Sequence, residues 1–120
     1  MQKFIFIELQ KFLGDKMNVE EYIKNKLKKE KLHFTLIDPD SEIAKNSEAL
    51  NSLKDINTDA VPIGGSTQVR GEELDSLIKS IKKSTTVPLI IFPGGVGGIS
   101  RYADAIFFMS LLNSRNPYFI

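Results

Sequence analysis

The 120-residue sequence has no cysteine and a single histidine. The first absence excludes a disulfide framework, thiolate chemistry and any zinc site built on cysteine. One imidazole is too few for a His-rich metal site. Charge of one sign is lacking as well. Sixteen Lys and Arg face fifteen Asp and Glu, so no net field favours nucleic acid or an anionic membrane. No apolar run approaches the roughly 20 residues that a spanning helix requires. In the opening MQKFIFIELQKF, Glu8 interrupts a short apolar run and no small-residue cleavage site follows. A secretory signal is therefore not expected, and the chain reads as cytoplasmic. Low-complexity segments are absent too. What remains suits one domain, large enough to bury roughly two-thirds of the surface its unfolded chain exposes.

The patterning alternates between helix and strand. Asn18 and Glu21 have capping-box spacing, and Val19, Tyr22, Ile23 and Leu27 then recur at helical intervals. Lys24, Lys26, Lys28 and Lys29 crowd the end of that helix, where its dipole favours cations. LHFTLID (32–38) is a short β-rich run ending before Pro39. Asp40 and Ser41 can cap a second helix with Ile43, Leu50 and Leu53 on its buried stripe. DAVPI (59–63) is the next strand, followed by a helix over 71–84 with Leu74, Leu77, Ile78 and Ile81 on one face. VPLIIF (87–92) and ADAIFFMSLL (103–112) are two further strands. Between them PGGVGGISRY is too glycine-rich for a sound helix, since each glycine costs about 1 kcal/mol against alanine. Apolar strands without clean alternation predict a parallel sheet covered on both faces. Pro62 removes a ladder hydrogen bond from its strand, which predicts a strand end or a bulge there.

In parallel α/β folds function gathers at the C-terminal ends of the strands. Those ends carry Asp38-Pro39-Asp40, Gly64-Gly65-Ser66-Thr67, Pro93-Gly94-Gly95 and residues 110–116. A carboxylate beside a hydroxyl offers hard oxygen ligands suited to Mg²⁺ and a substrate phosphate. The glycine pair Gly64-Gly65 would let an anion approach the backbone, with amides free to donate.

Three blocks, HFTLIDPD (33–40), TDAVPIGGST (58–67) and VPLIIFPGGVGGISRYADAIFFMSLLNSRNPY (87–118), agree in order and spacing with one family. Over residues 17–120 the chain resembles geranylgeranylglyceryl phosphate synthase, the archaeal prenyltransferase that forms the first ether bond of membrane lipids. The resemblance implies an α/β fold, a modified TIM barrel whose third helix is replaced by an irregular segment. It implies attack by the sn-3 hydroxyl of sn-glycerol 1-phosphate on C1 of geranylgeranyl diphosphate, with Mg²⁺ neutralising the leaving diphosphate. Position by position, the family's metal-binding aspartate falls on Asp38 and its hydroxyl ligand on Ser66.

A TIM barrel takes about 250 residues in eight βα units. The expectation is therefore a partial (half) TIM barrel of about four parallel βα units over 17–120, ending as a fourth helix begins at 118–120. The resemblance places the glycerol phosphate motifs and the glutamate base in the second half of the barrel, so no catalytic base is expected here. Residues 1–16 form an N-terminal extension, either a genuine helix or an over-long reading frame. Four strands would leave two open apolar edges, around 34–37 and around 106–110, and an open inner face. Oligomerisation, aggregation or dependence on a C-terminal half is then expected.

Other residues have competing roles. Arg115 is a candidate diphosphate contact and Arg101 a weaker one, because guanidinium forks match phosphate oxygens. His33 opens a strand and is expected to be structural rather than a base. Phe107, Phe108 and Met109 either pack the core or line a prenyl channel, with packing preferred. The lysines between 24 and 31 are expected to form a solvated helix face, with peripheral docking on anionic lipid as the alternative. A non-catalytic half-barrel binding Mg²⁺ and diphosphate is the runner-up function. A flavodoxin-like nucleotide domain leaves FPGGVGG and SLLNSRNPY unexplained.

Overall fold

The computed structural model describes residues 2–8, 17–64, 69–92 and 98–111, with the backbone alone for 2–7 and 108–111. Its centre is a four-stranded sheet of β1 (Gln2–Glu8), β2 (Val61–Gly64), β3 (Leu89–Phe92) and β4 (Ala105–Leu111), in the order β1-β4-β3-β2. β2, β3 and β4 run parallel, as the buried apolar runs predict. Each of these parallel strands forms within its expected run but begins two residues later, at Val61, Leu89 and Ala105. The fourth parallel strand does not form: residues 34–37 lie beside β2 through two isolated parallel bridges, Phe34 to Ala60 and Ile37 to Ile63.

Pro62 explains that interruption. Thr35 N–H donates to Ala60 O at 3.1 Å, Ile37 N–H to Pro62 O at 2.9 Å, and Gly64 N–H to Ile37 O at 3.2 Å. Between the first two bonds the ladder calls for an amide at position 62, and proline has none. Pro62 is therefore neither at a strand end nor in a bulge. It sits inside β2 in register with Ile90, with its missing donor turned toward residues 34–37.

The larger correction is at the start of the chain. Residues 2–8 form a strand, not a helix, and pair antiparallel with β4 over seven positions from Gln2–Leu111 to Glu8–Ala105. The β4 edge expected to be open is thus covered by the chain's own N-terminal segment.

Helices cover both faces of the sheet. α1 (Val19–Leu27) carries the predicted capping box: Glu21 N–H donates to Asn18 Oδ1 at 2.9 Å and Asn18 N–H to Glu21 Oε2 at 3.4 Å. Val19 and Ile23 of α1 pack against Ala60, Ile90, Ala105 and Phe107. This closes part of the inner face expected to be open. Burying two such side chains stabilises the fold by about 1.5–3 kcal/mol each. Leu27, expected on the same stripe, is exposed.

The opposite face holds α3 (Gly71–Ser84), with Leu74, Ile78 and Ile81 buried on Val61, Ile63, Leu89, Ile91 and Ile106. Residues 43–55 form a broken element rather than one helix. A 3₁₀ turn (Ile43–Lys45), a short α2 (Ser47–Asn51) and a second 3₁₀ turn (Ser52–Asp55) follow one another. The break occurs at Asn46, whose side chain accepts from Glu48 N–H and Ala49 N–H and so caps α2 afresh. Leu50 and Leu53 are buried as expected, whereas Ile43, ahead of the break, is exposed. Among the described residues between β3 and β4 there is a turn at 101–102 and no α-helix, in keeping with the glycine content of that stretch.

Candidate active site at the C-terminal rim of the sheet

Register aligns the strand ends. Ile37 bridges Ile63, Gly64 pairs with Phe92, and Ile91 pairs with Ile106. Asp38, Gly64 and Phe92 therefore leave the sheet at about one level, while β4 continues past Phe107 to Leu111. This is the rim where sequence reasoning put the chemistry. Ser66, Gly65 and Arg115 lie outside the described residues, as do residues 93–97.

Asp38 is exposed, and its carboxylate is partly committed to shaping its own turn. Oδ1 accepts from Asp40 N–H at 2.9 Å, while its carbonyl accepts from Ser41 N–H at 3.0 Å and Ser41 Oγ–H at 2.6 Å. Asp38 and Ser41 thus shape the residues that follow, with Ser41 Oγ accepting from Ala44 N–H at 3.3 Å. No partner for Asp38 Oδ2 is present among the described residues. An exposed carboxylate oxygen on a strand end suits a hard cation. Among the described residues no group of three His, Cys, Asp or Glu converges on a common point. The fit is to a one-carboxylate site of the kind Mg²⁺ uses when water and phosphate supply its other ligands.

Gly64 has a structural reason of its own. A Cβ at this position would stand 2.0 Å from the Phe92 carbonyl oxygen and 2.7 Å from Phe92 Cβ. Its amide is not free for an anion, because it donates to Ile37 O. The expected role of a free donor at Gly64 is therefore corrected to close packing of β2 on β3. Phe107 packs with the α1-side cluster and meets Phe92 edge to face, with centroids 5.9 Å apart, in line with the preferred core reading. The side chains of Phe108 and Met109 lie outside the described set.

Two further candidates lie away from the rim. His33 stands at the opposite end of residues 33–38, where its backbone N–H donates to Asp59 Oδ2 at 2.8 Å and its carbonyl accepts from Asp59 N–H at 2.8 Å. Arg101 precedes the N-terminal end of β4. It covers the Tyr102 ring at 5.1 Å and donates to its hydroxyl at 3.1 Å. That hydrogen bond, with Lys79 on the same ring, holds the Tyr102 hydroxyl below its ordinary pKa.

Composition gave no hint of the ion pairs that position these strands. Lys26 Nζ lies 2.6 Å from Asp59 Oδ1, and Lys82 Nζ lies 3.0 Å from Asp104 Oδ1. The buried Asp104 also accepts from Leu89 N–H at 2.8 Å, pinning the start of β3 to the start of β4. Lys24 pairs with Glu20 along α1, so the lysine run is partly a set of local tethers. Among the described residues no helix is long and apolar enough to cross a membrane.

Comparison with known proteins gives a consistent picture. The chain is 60% identical over 109 residues to geranylgeranylglyceryl phosphate synthase of Thermococcus gammatolerans, covering 85% of this chain and 41% of the relative. The same enzyme of Methanosphaera stadtmanae is 49% identical over 105 residues, covering 87% and 43%. Among solved structures, the synthase of Thermoplasma acidophilum in complex with its substrate sn-glycerol-1-phosphate superposes with a TM-score of 0.75 at 39% identity, covering 87% of this chain and 42% of that one. The wild-type enzyme of Thermoplasma volcanium gives 0.74 at 42% identity, with the same coverage. The chain thus spans about two-fifths of the length of the relatives it matches. A model of the PcrB family matches residues 25–120, and the chain belongs to that family.

Proposed function

We propose that this chain supplies the diphosphate-binding part of a geranylgeranylglyceryl phosphate synthase in the cytoplasm, within a TIM barrel of which it forms a part. The observation that carries this reading is the 60% identity to the Thermococcus enzyme over 109 residues. In the reaction, the sn-3 oxygen of sn-glycerol 1-phosphate forms a bond to C1 of geranylgeranyl diphosphate as the C1–O bond to diphosphate breaks. The hydroxyl proton passes to a base, and diphosphate leaves with both electrons of the broken bond.

Mg²⁺ would supply charge neutralisation on the leaving diphosphate. Asp38 would hold it through the oxygen that its turn leaves uncommitted, with Ser66 as the neutral ligand. Gly65 and Arg115 would contact the diphosphate, and Gly64 would keep β2 close to β3 beneath it. The donor set fits the ion, being hard oxygen throughout.

The glycerol phosphate site and the base are assigned to segments beyond the two-fifths of the enzyme that this chain matches. Proximity can lower a barrier by roughly 7–11 kcal/mol only where both reactants are held. The expected result is no ether product from the purified chain with both substrates and Mg²⁺, and product once the remaining segments of the Thermococcus gammatolerans enzyme are added. Turnover by the chain alone would show that the site is misplaced. The short span also favours a second reading, a non-catalytic half-barrel that binds Mg²⁺ and diphosphate. Diphosphate binding without recovered turnover in the same experiment would select it.

A further inference from the structure

β4 has an apolar sequence without charge or proline, AIFFMSL, of the kind that pairs readily with other strands. Its outer edge is covered by β1, residue for residue over seven positions. β1 is also anchored at its far end. The Glu8 carboxylate accepts from Val19 N–H through Oε2 and from Glu20 N–H through Oε1, both at 3.1 Å. These are first-turn amides that a helix leaves without intrahelical partners, and the negative charge suits the positive end of the α1 dipole. β1 and Glu8 both precede residue 25, where the match to the family begins.

We propose that β1 is an edge cap, latched to α1 by Glu8, that prevents β4 from pairing with the β4 of a second copy of this chain. The occupant follows from the geometry of the edge. Here β4 accepts an antiparallel strand, and a second β4 approaching across a two-fold axis is antiparallel by symmetry. An apolar edge stripped of its cap is a template for such pairing. The proposal goes beyond the enzymatic reading and does not depend on it.

The test is hydrogen exchange at amides 107 and 109, which face β1 because Asp104 N–H, an odd number of residues before them, donates to Leu89 O on the β3 side, read with light-scattering mass from low to high micromolar protein. In the full chain, protection of these amides is expected to be independent of concentration. In a chain beginning at Met17 it is expected to be lost at low concentration and to recover by on the order of tenfold or more as the mass doubles. The chain has no cysteine, so Lys3→Cys with Ser110→Cys, at register partners, can form only one intramolecular disulfide and should restore the full-chain behaviour to Glu8→Ala. Association through residues 34–37 would raise the mass but leave exchange at 107 and 109 unchanged. Three outcomes overturn the proposal: β4 equally protected without β1 at the lowest concentration, β4 unprotected at every concentration, or concentration-dependent protection in the full chain. Should the shortened chain fail to fold by circular dichroism, Glu8→Ala decides alone. Concentration-dependent exchange that the disulfide abolishes supports the cap, and exchange indifferent to the disulfide refutes it.

Discussion

The Lys26 ammonium stands 2.6 Å from the Asp59 carboxylate, joining α1 to the residues that lead into β2. Asp59 does more than hold this ion pair. Its second oxygen accepts from His33 N–H and its carbonyl from the Tyr22 hydroxyl. Three segments therefore meet on one side chain and its backbone. The Lys26 hydrogen bond, and then the His33 amide, hold the Asp59 carboxyl below its ordinary 3.8. In return Asp59 raises Lys26 above 10.5.

The pH dependence follows from these two directions. Asp59's contribution is fully present above 3.8 and is lost as pH falls through its lower folded value. Lys26's contribution is fully present below 10.5 and is lost as pH rises through its higher folded value. Asp59→Asn is expected to cost about 1–2 kcal/mol at neutral pH. Lys26→Met should cost less, about 0.5–1 kcal/mol, because the ammonium is partly solvated. Urea unfolding at pH 7 and at pH values below the ordinary carboxylate range checks both figures. The gap between wild type and Asp59→Asn should narrow in acid.

Asp104 should be the more costly carboxylate to remove. Its side chain is 5% exposed, and it bonds both Lys82 Nζ and the Leu89 amide. Asp104→Ala leaves the buried Leu89 amide without its acceptor and the Lys82 ammonium with the Tyr102 carbonyl alone, a loss of about 3 kcal/mol or more. Lys82→Met leaves Asp104 its amide partner, and the loss should be about 1–2 kcal/mol. Denaturation midpoints should rank the two variants in that order, with unchanged slopes.

Two glycines should respond differently to alanine. At Gly64 the added Cβ meets the backbone of β3 at 2.0 Å. Gly64→Ala must spread β2 from β3, at about 1–3 kcal/mol or more for overpacking. Gly71 begins α3 with φ +57° and has nothing within 4 Å of a built Cβ. Gly71→Ala therefore carries only the left-handed backbone penalty of about 1–2 kcal/mol. Thermal melts of the two variants should place Gly64→Ala lower.

At the rim, Asp38→Asn is expected to weaken Mg²⁺-dependent diphosphate binding at least tenfold, about 1.4 kcal/mol. Titration calorimetry with inorganic diphosphate measures it directly, and equal affinities would reject Asp38 as the ligand. His33→Ala, whose backbone bonds to Asp59 persist, should bind as wild type does.

Much of this was legible locally. The α1 capping box, the α3 stripe and the apolar runs of β2, β3 and β4 are each set by neighbours within a few residues, so periodicity reveals them. The level of Asp38 on the rim follows once the strands are known to be parallel.

Tertiary structure decided the rest, because the physics involved acts between distant segments. FIFI at the N-terminus becomes β1 only because β4 offers an edge to pair with, and Glu8 finds its role only at the start of α1. The missing amide of Pro62 is visible in the sequence, but which neighbour loses a hydrogen bond is settled by the alternating direction of the β2 peptide groups. Gly64 resembles a flexible donor in isolation and proves to be a close-packing residue once Phe92 lies beside it. Lys26 and Lys82 are indistinguishable in sequence from the solvated lysines around them. Only the fold brings Asp59 and Asp104 within reach.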